Sequence, residues 1–314
     1  DRFGRFGLSA NQVSPFNAFV ELTTLQRRLV RPDAANLLLI GSPSTLLRTA
    51  DARSALRRSW QLADVQLELR EVMNGDWLEL RTDRVFLDAA IIDALQGLDA
   101  DAVGALTYFV NELRCDDRAT PYSMATAIGT LHGTDRGYTG LVRDGMPDDR
   151  IVLNRWLADD LGAQVGGQVS MSYFAMGPGR RLVERSTTYT VDQIVPIEGP
   201  SADPDWMPQF PGLADADHCR HWQPGIPIDL ERVRNKDETY WEAHRGTPKA
   251  FVTLTAGRDA WSNAFGNLTA ARFPFSAGMK QRITEAILAR VEPAKLGLSF
   301  RDASAAAQKA ATPM

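Results

Sequence analysis

The sequence predicts an α+β fold with mixed sheets, on three observations. Strand-type alternation and helix-type spacing succeed one another along most of its 314 residues. A stretch of nearly sixty residues recurs near the C-terminus. Between the two copies, a proline- and tryptophan-rich segment breaks the pattern. Composition is that of a globular chain, 44% hydrophobic and 24% charged, with material for a sizeable core. The net charge of −4 gives no general attraction to nucleic acid or anionic lipid. No apolar run approaches the ~18–20 residues of a membrane helix, so the fragment itself is expected to be soluble. It opens at Asp1-Arg2-Phe3-Gly4 without an initiator Met and reads as excised from something longer.

The repeat sets the elements in order. Ala18-Phe19-Val20-Glu21-Leu22-Thr23 recurs as Ala250-Phe251-Val252-Thr253-Leu254-Thr255, and after a one-residue slip Asn36-Leu37 aligns with Asn267-Leu268. Further on, Val65–Arg70 aligns with Leu296–Arg301, so 15–72 resembles 247–302. Each copy predicts strand, helix, strand, helix, strand. Thr23 and Thr255 are the expected N-caps of the first helices. Strands are expected at Asn36–Ile40 and Leu268–Phe273, then helices over Ala52–Gln61 and Lys280–Arg290. The closing strand alternates Val65, Leu67 and Leu69 against polar neighbours. Both copies should therefore follow one path, and a preceding stretch with its own opening unit is expected ahead of the first, because Asp1–Ser14 is too short and irregular to supply one.

Between the copies, Asn74-Gly75 predicts a hairpin joining Val65–Val72 to Trp77–Leu87. Asp88 opens a short helix, Ala89–Gln96, that leads to a strand at Ala105–Leu113. Ile151–Asn154 is a strand feeding the helix Arg155–Leu161, which Gly162 ends. Val169–Phe174 and Thr187–Val195 form an antiparallel pair around a turn at 177–181, where Arg180, Arg181 and Arg185 make a solvated tip. Eight of the 17 prolines fall in Pro196–Pro248, together with Trp206, Trp222 and Trp241. That density excludes long helices and interior strands. Three indoles argue for an ordered segment with at least two of them buried.

Signatures of chemistry are sparse. There is no Gly-x-Ser-x-Gly elbow, no His-Glu-x-x-His and no Walker-type phosphate loop. The richest cluster of metal-ligating types is Asp215-Ala216-Asp217-His218-Cys219-Arg220-His221, whose spacing fits no common zinc pattern, so a structural loop is expected. Glu238, Glu242 and His244 lack a nucleophile to serve and read as a helix face. Cys115 and Cys219, 104 residues apart, read as separate buried thiols, the alternative being a disulfide, which requires an oxidising compartment. No catalytic, cofactor or metal residue is assigned. Ligand or partner contacts, if any, are placed at Trp206, Trp222, Asp217, His218 and His221.

The run Ile151-Val152-Leu153-Asn154-Arg155-Trp156-Leu157-Ala158-Asp159-Asp160-Leu161-Gly162, continued by Val165-Gly166-Gly167-Gln168-Val169-Ser170-Met171, resembles a strand–Asn–helix–Leu-Gly–Val-Gly–strand element of a known family. Pro248-Lys249-Ala250-Phe251-Val252-Thr253-Leu254, followed by Asn267-Leu268-Thr269-Ala270-Ala271-Arg272, is similar to that family's closing strand–helix–strand. The family is the extracytoplasmic core domain of FtsX-like ABC transporter permeases, which include MacB. The resemblance covers most of 77–302; segment 196–247 has no counterpart in smaller members.

It implies porter-like strand–helix–strand units and a second lobe: 1–73 as a partial copy of the repeat, 74–113 plus 247–314 as a porter-like subdomain, and 114–246 as the lobe carrying the insertion 196–246. It also implies a non-catalytic domain on the periplasmic side of the inner membrane, coupled through transmembrane helices to a cytoplasmic ATPase. Its partner would be a periplasmic protein or an amphiphilic substrate, and no nucleic acid. The rivals are a ligand- or glycan-binding module using 196–246 and, behind it, a hydrolase. The isolated domain should show no saturable ATP binding in calorimetry, and no hydrolytic turnover that Asp217→Ala abolishes; either would reveal a site these signatures miss.

Overall fold

A computed structural model describes residues 18–30, 32–41, 48–131, 141–177, 181–302 and 305. The chain divides into two compact units, Gln61–Val291 and Asp1–Trp60 with Glu292–Met314. The smaller unit contains α1 (Leu22–Arg28), α2 (Thr49–Ser59) and a 3₁₀ turn at Pro293–Leu296, with an ion pair between Arg57 and Glu292.

The larger unit is built on nine strands among the described residues. They are β1 (Leu67–Val72), β2 (Trp77–Thr82), β3 (Val103–Cys115), β4 (Arg118–Thr130), β5 (Arg150–Asn154), β6 (Gln168–Met176), β7 (Leu182–Val195), β8 (Ala250–Thr253) and β9 (Ala270–Pro274). Helices α3 (Ala89–Ala94), α4 (Arg155–Leu161), α5 (Asn235–His244), α6 (Leu254–Trp261) and α7 (Met279–Arg290) complete it. The strand order is β1-β2-β9-β3-β4-β8-β5-β7-β6, with β3 pairing β6 as well. The fold is α+β and the sheet is mixed: β4–β8 and β5–β7 are parallel and the other pairs antiparallel.

The double pairing of β3 shapes the sheet. β4 runs the length of one edge of this 13-residue strand. On the other edge, Val103–Ala105 pairs with β9 and Glu112–Arg114 pairs with β6. Six strands, β3-β4-β8-β5-β7-β6, thereby close into a ring, and β9-β2-β1 extends from it as a wing. Closure removes free edges from the ring strands, the usual hazard of an open sheet.

Several local expectations hold because their signals are local. β5 passes into α4 through Asn154, whose Oδ1 accepts from the Leu157 amide at 2.8 Å. Gly162 ends the helix at φ 64°, a left-handed conformation that glycine adopts without strain. The hairpin at Asn74-Gly75 joins β1 to β2, with Val72 opposite Trp77. β6 and β7 pair in antiparallel register from Gln168–Thr190 to Met176–Leu182.

Other expectations fail. Residues 18–21 and 36–40 are irregular, and 298–300 forms no strand. Strand-forming sequence becomes strand only where a neighbour completes the ladder, and among the described residues of the smaller unit no strand forms to complete one. Of the expected repeat, helices therefore stand at matching positions in 22–59 and 254–290, and the strands of 250–274 have no match in 18–40. The N-cap positions are Glu21 and Thr253 rather than Thr23 and Thr255, which lie inside the helices. β8 ends at Thr253, and its Oγ1 accepts from the Ala256 amide at 3.1 Å. β4, the longest buried strand, has no counterpart among the expected elements. The centre of the turn at 177–181, the chain start at 1–14 and nearly all of the Ala-rich tail lie outside the described residues.

One charged group sits at the junction of wing and ring. Arg272 on β9 is completely buried and bonds Glu79 of β2 through Nε at 2.7 Å and Asp203 through Nη1 at 2.6 Å. Its guanidinium lies 3.4 Å from the centroid of the Trp206 ring. Arg70 of β1 bonds the second Glu79 oxygen at 2.8 Å. Removing one partner of such a buried cluster strands the others. Arg272→Leu should lower the unfolding free energy in urea by roughly 3–5 kcal/mol. Adding Glu79→Gln and Asp203→Asn should restore about half of that loss, and no restoration would show that charge burial is not the cause.

Candidate functional site

Segment 196–248 is the stretch expected to offer a ligand surface, and its three tryptophans turn inward. Trp206, Trp222 and Trp241 are 1%, 5% and 4% exposed. Trp206 packs with Ala105, Ile128, Phe251 and Ala270 of the sheet, and its indole N–H donates to the Pro200 carbonyl at 2.8 Å. Trp222 meets Phe109 and Trp241 edge to face, at 5.7 and 5.0 Å between centroids. Trp241 donates to the Ala216 carbonyl at 3.0 Å. At ~25 cal/mol per Å² and ~150–250 Å² each, every indole contributes several kcal/mol of burial, which holds a segment that has no strand ladder. The expectation that at least two of the three are buried is met.

The remaining predicted contacts lie apart from these indoles. Asp217 has an 82% exposed side chain and faces Arg245 at 3.5 Å. His218 Nδ1 lies 3.8 Å from Glu242 and 3.9 Å from Glu238, and its ring meets His221 edge to face at 5.4 Å. Cys219 is buried among the aromatic residues instead, its Sγ 3.8 Å from the Asp237 carbonyl. Burial, then the nearby Glu238, pushes its thiol up to about 12. Among the described residues, no three His, Cys, Asp or Glu side chains converge as a metal site would require. Glu238 accepts from the Cys219 and Arg220 amides at 2.9 and 3.0 Å, capping the 3₁₀ turn Cys219–His221. Cys115 and Cys219 are both free.

The concentration of buried charge lies one layer deeper, where α4, α5, β4 and β8 meet. Arg234 precedes α5, and its guanidinium donates to both Asp237 oxygens at 2.7 Å, to Asp160 of α4 at 2.6 Å and to the Ala119 carbonyl of β4 at 3.0 Å. Burial alone would raise the Asp160 carboxyl, but Lys236, Thr120 and Arg234 all donate to it and hold it below the ordinary range.

Lys249, immediately before β8, is the unusual member. Its ammonium lies against two touching rings, 4.1 Å from the Trp156 centroid and 4.6 Å from that of Tyr240, with the nearest Asp237 oxygen at 3.9 Å. Burial lowers this amine to about 8. Tyr240 accepts from Asn154 Nδ2 at 2.9 Å and donates to the Thr247 carbonyl at 3.1 Å, so the cap of α4 and the end of α5 share one bond network. A cavity of about 20 Å³ adjoins, lined among others by Ser123, Trp222, Cys219 and Lys249. That is room for a water molecule and not for a substrate.

Sequence reasoning missed this centre. A lysine ahead of an apolar strand and an arginine inside one, Ala270-Ala271-Arg272-Phe273, were the available signals. A charge in a run that must be buried requires a partner.

No protein-family model matches the chain, and no curated protein matches it in sequence. Among solved structures, it is similar to the extracellular domain of YknZ, a noncanonic ABC-type transporter from Gram-positive bacteria. The identity is 12% over 66% of this chain and 87% of that one, with a TM-score of 0.34. It is also similar to the periplasmic region of MacB from Actinobacillus actinomycetemcomitans, at 10% identity over 73% and 84% of the two chains and a TM-score of 0.33.

The lysine gives a pH test with a definite sign. Below about pH 8 the amine carries its proton in folded and unfolded chain alike. Between about 8 and the ordinary 10.5 only the unfolded chain holds it, so the fold gains stability as pH rises. Cys219 works the other way, but only above the ordinary thiol value of 9.0. From pH 8 to 9 the unfolding free energy should therefore rise by about 1 kcal/mol more in the wild type than in Lys249→Met. Equal slopes would place the amine in water.

Proposed function

We propose that this chain is an extracytoplasmic domain of an ABC transporter permease of the FtsX- and MacB-like kind. It catalyses nothing itself. It moves with transmembrane helices driven by a cytoplasmic ATPase, and engages a periplasmic partner protein or an amphiphilic substrate. The observation that carries this reading is the unit β5–Asn154–α4–Gly162–β6. The sequence resemblance rests on that unit, and its residues hold the roles the motif assigns them: strand end, helix cap, left-handed stop and next strand.

The sheet supplies a physical reason as well. A domain inserted between two membrane segments suits a start and an end that lie close together. Here the opening unit 77–113 and the closing strand–helix–strand of 250–274 interleave as β2-β9-β3, with Trp77 opposite Pro274. These two sections make the porter-like part of the reading, and 114–246 its second lobe. The glycan-binding alternative needs stacking platforms open to solvent, whereas the three indoles of 196–246 are enclosed.

Impermeant labelling tests the topology. Asp217 is exposed, and both native cysteines are buried and free. In the full-length parent protein, Asp217→Cys should react with a membrane-impermeant maleimide once the outer permeability barrier is opened and the inner membrane left intact. With any cysteine outside residues 1–314 replaced by serine, the protein lacking Asp217→Cys should stay unlabelled. Labelling that appears only after lysis would place the domain in the cytoplasm and end the transporter reading.

A further inference from the structure

The repeat has a structural counterpart more specific than its sequence. Helices α1 and α6 begin 232 residues apart, at Leu22 and Leu254, and α2 and α7 end 231 apart, at Ser59 and Arg290. The 3₁₀ turn Leu62–Val65 recurs residue for residue as Pro293–Leu296. Each turn is followed by a left-handed residue, Gln66 at φ 61° and Gly297 at φ 95°. A left-handed glutamine is uncommon, so its match to a glycine at the same register is informative.

Burial separates the copies. Val252 and Leu268 are completely buried in the ring and beside it; the aligned Val20 and Leu37 are more than half exposed. Ala270 and Ala271 are buried in β9, and the residues at the same register are Leu39 and Ile40, 68% and 58% exposed. Four consecutive apolar side chains, Leu37–Ile40, thus stand in solvent. Such a strand-forming run is a template for pairing.

We propose that residues 18–72 are the closing half of a second module of this fold. The exposed segments Val20–Leu22 and Leu37–Ile40 are covered by that module's opening half, carried on the same polypeptide ahead of Asp1. The second copy states what the cover must be. β8 lies parallel to β4, and β9 antiparallel to β3, so the covering element is an antiparallel hairpin of the β3–β4 type.

One position excludes a second copy of this chain as the source. In α6, Gly257 packs so closely on β4 that a Cβ there would lie 2.0 Å from the Ala127 Cβ. The first copy has Leu25 at that register, which this β4 has no room to receive. The β3–β4 hairpin of another copy would also already hold its own β8 and β9. The hairpin that covers α1 must therefore differ in sequence from 103–130, as an upstream module would. This inference is independent of the transporter reading, since it concerns only how the chain is completed.

Hydrogen exchange read by mass spectrometry tests it, on the full-length parent protein and on residues 1–314 alone. In the parent, amides of 20–22 and 36–40 should exchange at least 100-fold more slowly than in the shorter chain, which should sediment as a monomer. Equally fast exchange in both would overturn the proposal. Slow exchange in a dimer of the 314-residue chain would also overturn it, in favour of a second copy.

Discussion

The buried Arg272 guanidinium is the contact on which the rest of the larger unit depends. It joins β9 to β2 through Glu79, and both to the proline-rich segment through Asp203 and the face of Trp206. Burying three charges is expensive, and close pairing with both carboxylates is what offsets the cost, although Nη2 of Arg272 meets Glu79 as an ion pair without a well-directed hydrogen bond. Arg70 satisfies the second oxygen of Glu79, and the indole N–H of Trp206 bonds Pro200. The far end of the same segment is held by the other buried cation. Lys249 lies against Tyr240 and Trp156, while Arg234 ties α5 to α4 and β4. A segment that carries no strand, only short 3₁₀ turns and α5, is thus fixed at both ends by cations lying on aromatic faces.

This arrangement changes what the segment is for. Its tryptophans, its buried cysteine and two of its carboxylates are consumed in packing and capping: Glu238 caps a turn, Asp237 holds Arg234, and Cys219 fills the aromatic cluster. The result is a wall built onto a ring-closed sheet. A close-packed wall of this kind has few low-energy ways to deform.

What was legible in the sequence follows from how local each signal is. The β5–α4 unit could be read because Asn154 and Gly162 act on their own neighbours. The β6–β7 pair could be read because one strand face is buried, which forces alternation. β4 was invisible for the opposite reason: Tyr122 to Thr130 are buried on both faces, so small polar and apolar residues mix without period. Ring closure was not readable either, since it depends on β3 meeting β9 at one end and β6 at the other. The first copy misled at 18–22 and 36–40, because a strand needs a neighbour as well as a sequence. Of the candidate contacts, Trp206 and Trp222 proved to be core, and Asp217, His218 and His221 surface.

The central claim is that segment 196–248 is part of the folded body, locked to the sheet through Trp206 and Trp241. Exchange of the indole N–H protons measured by NMR, against the backbone amides of β8 and β9, tests it most directly. The indole protons of Trp206 and Trp241 should open with the same free energy as Phe251 and Ala271, and with the same dependence on denaturant. Indole protons that exchange through a low-energy opening, while those amides stay protected, would make the segment a loose cover and contradict the account.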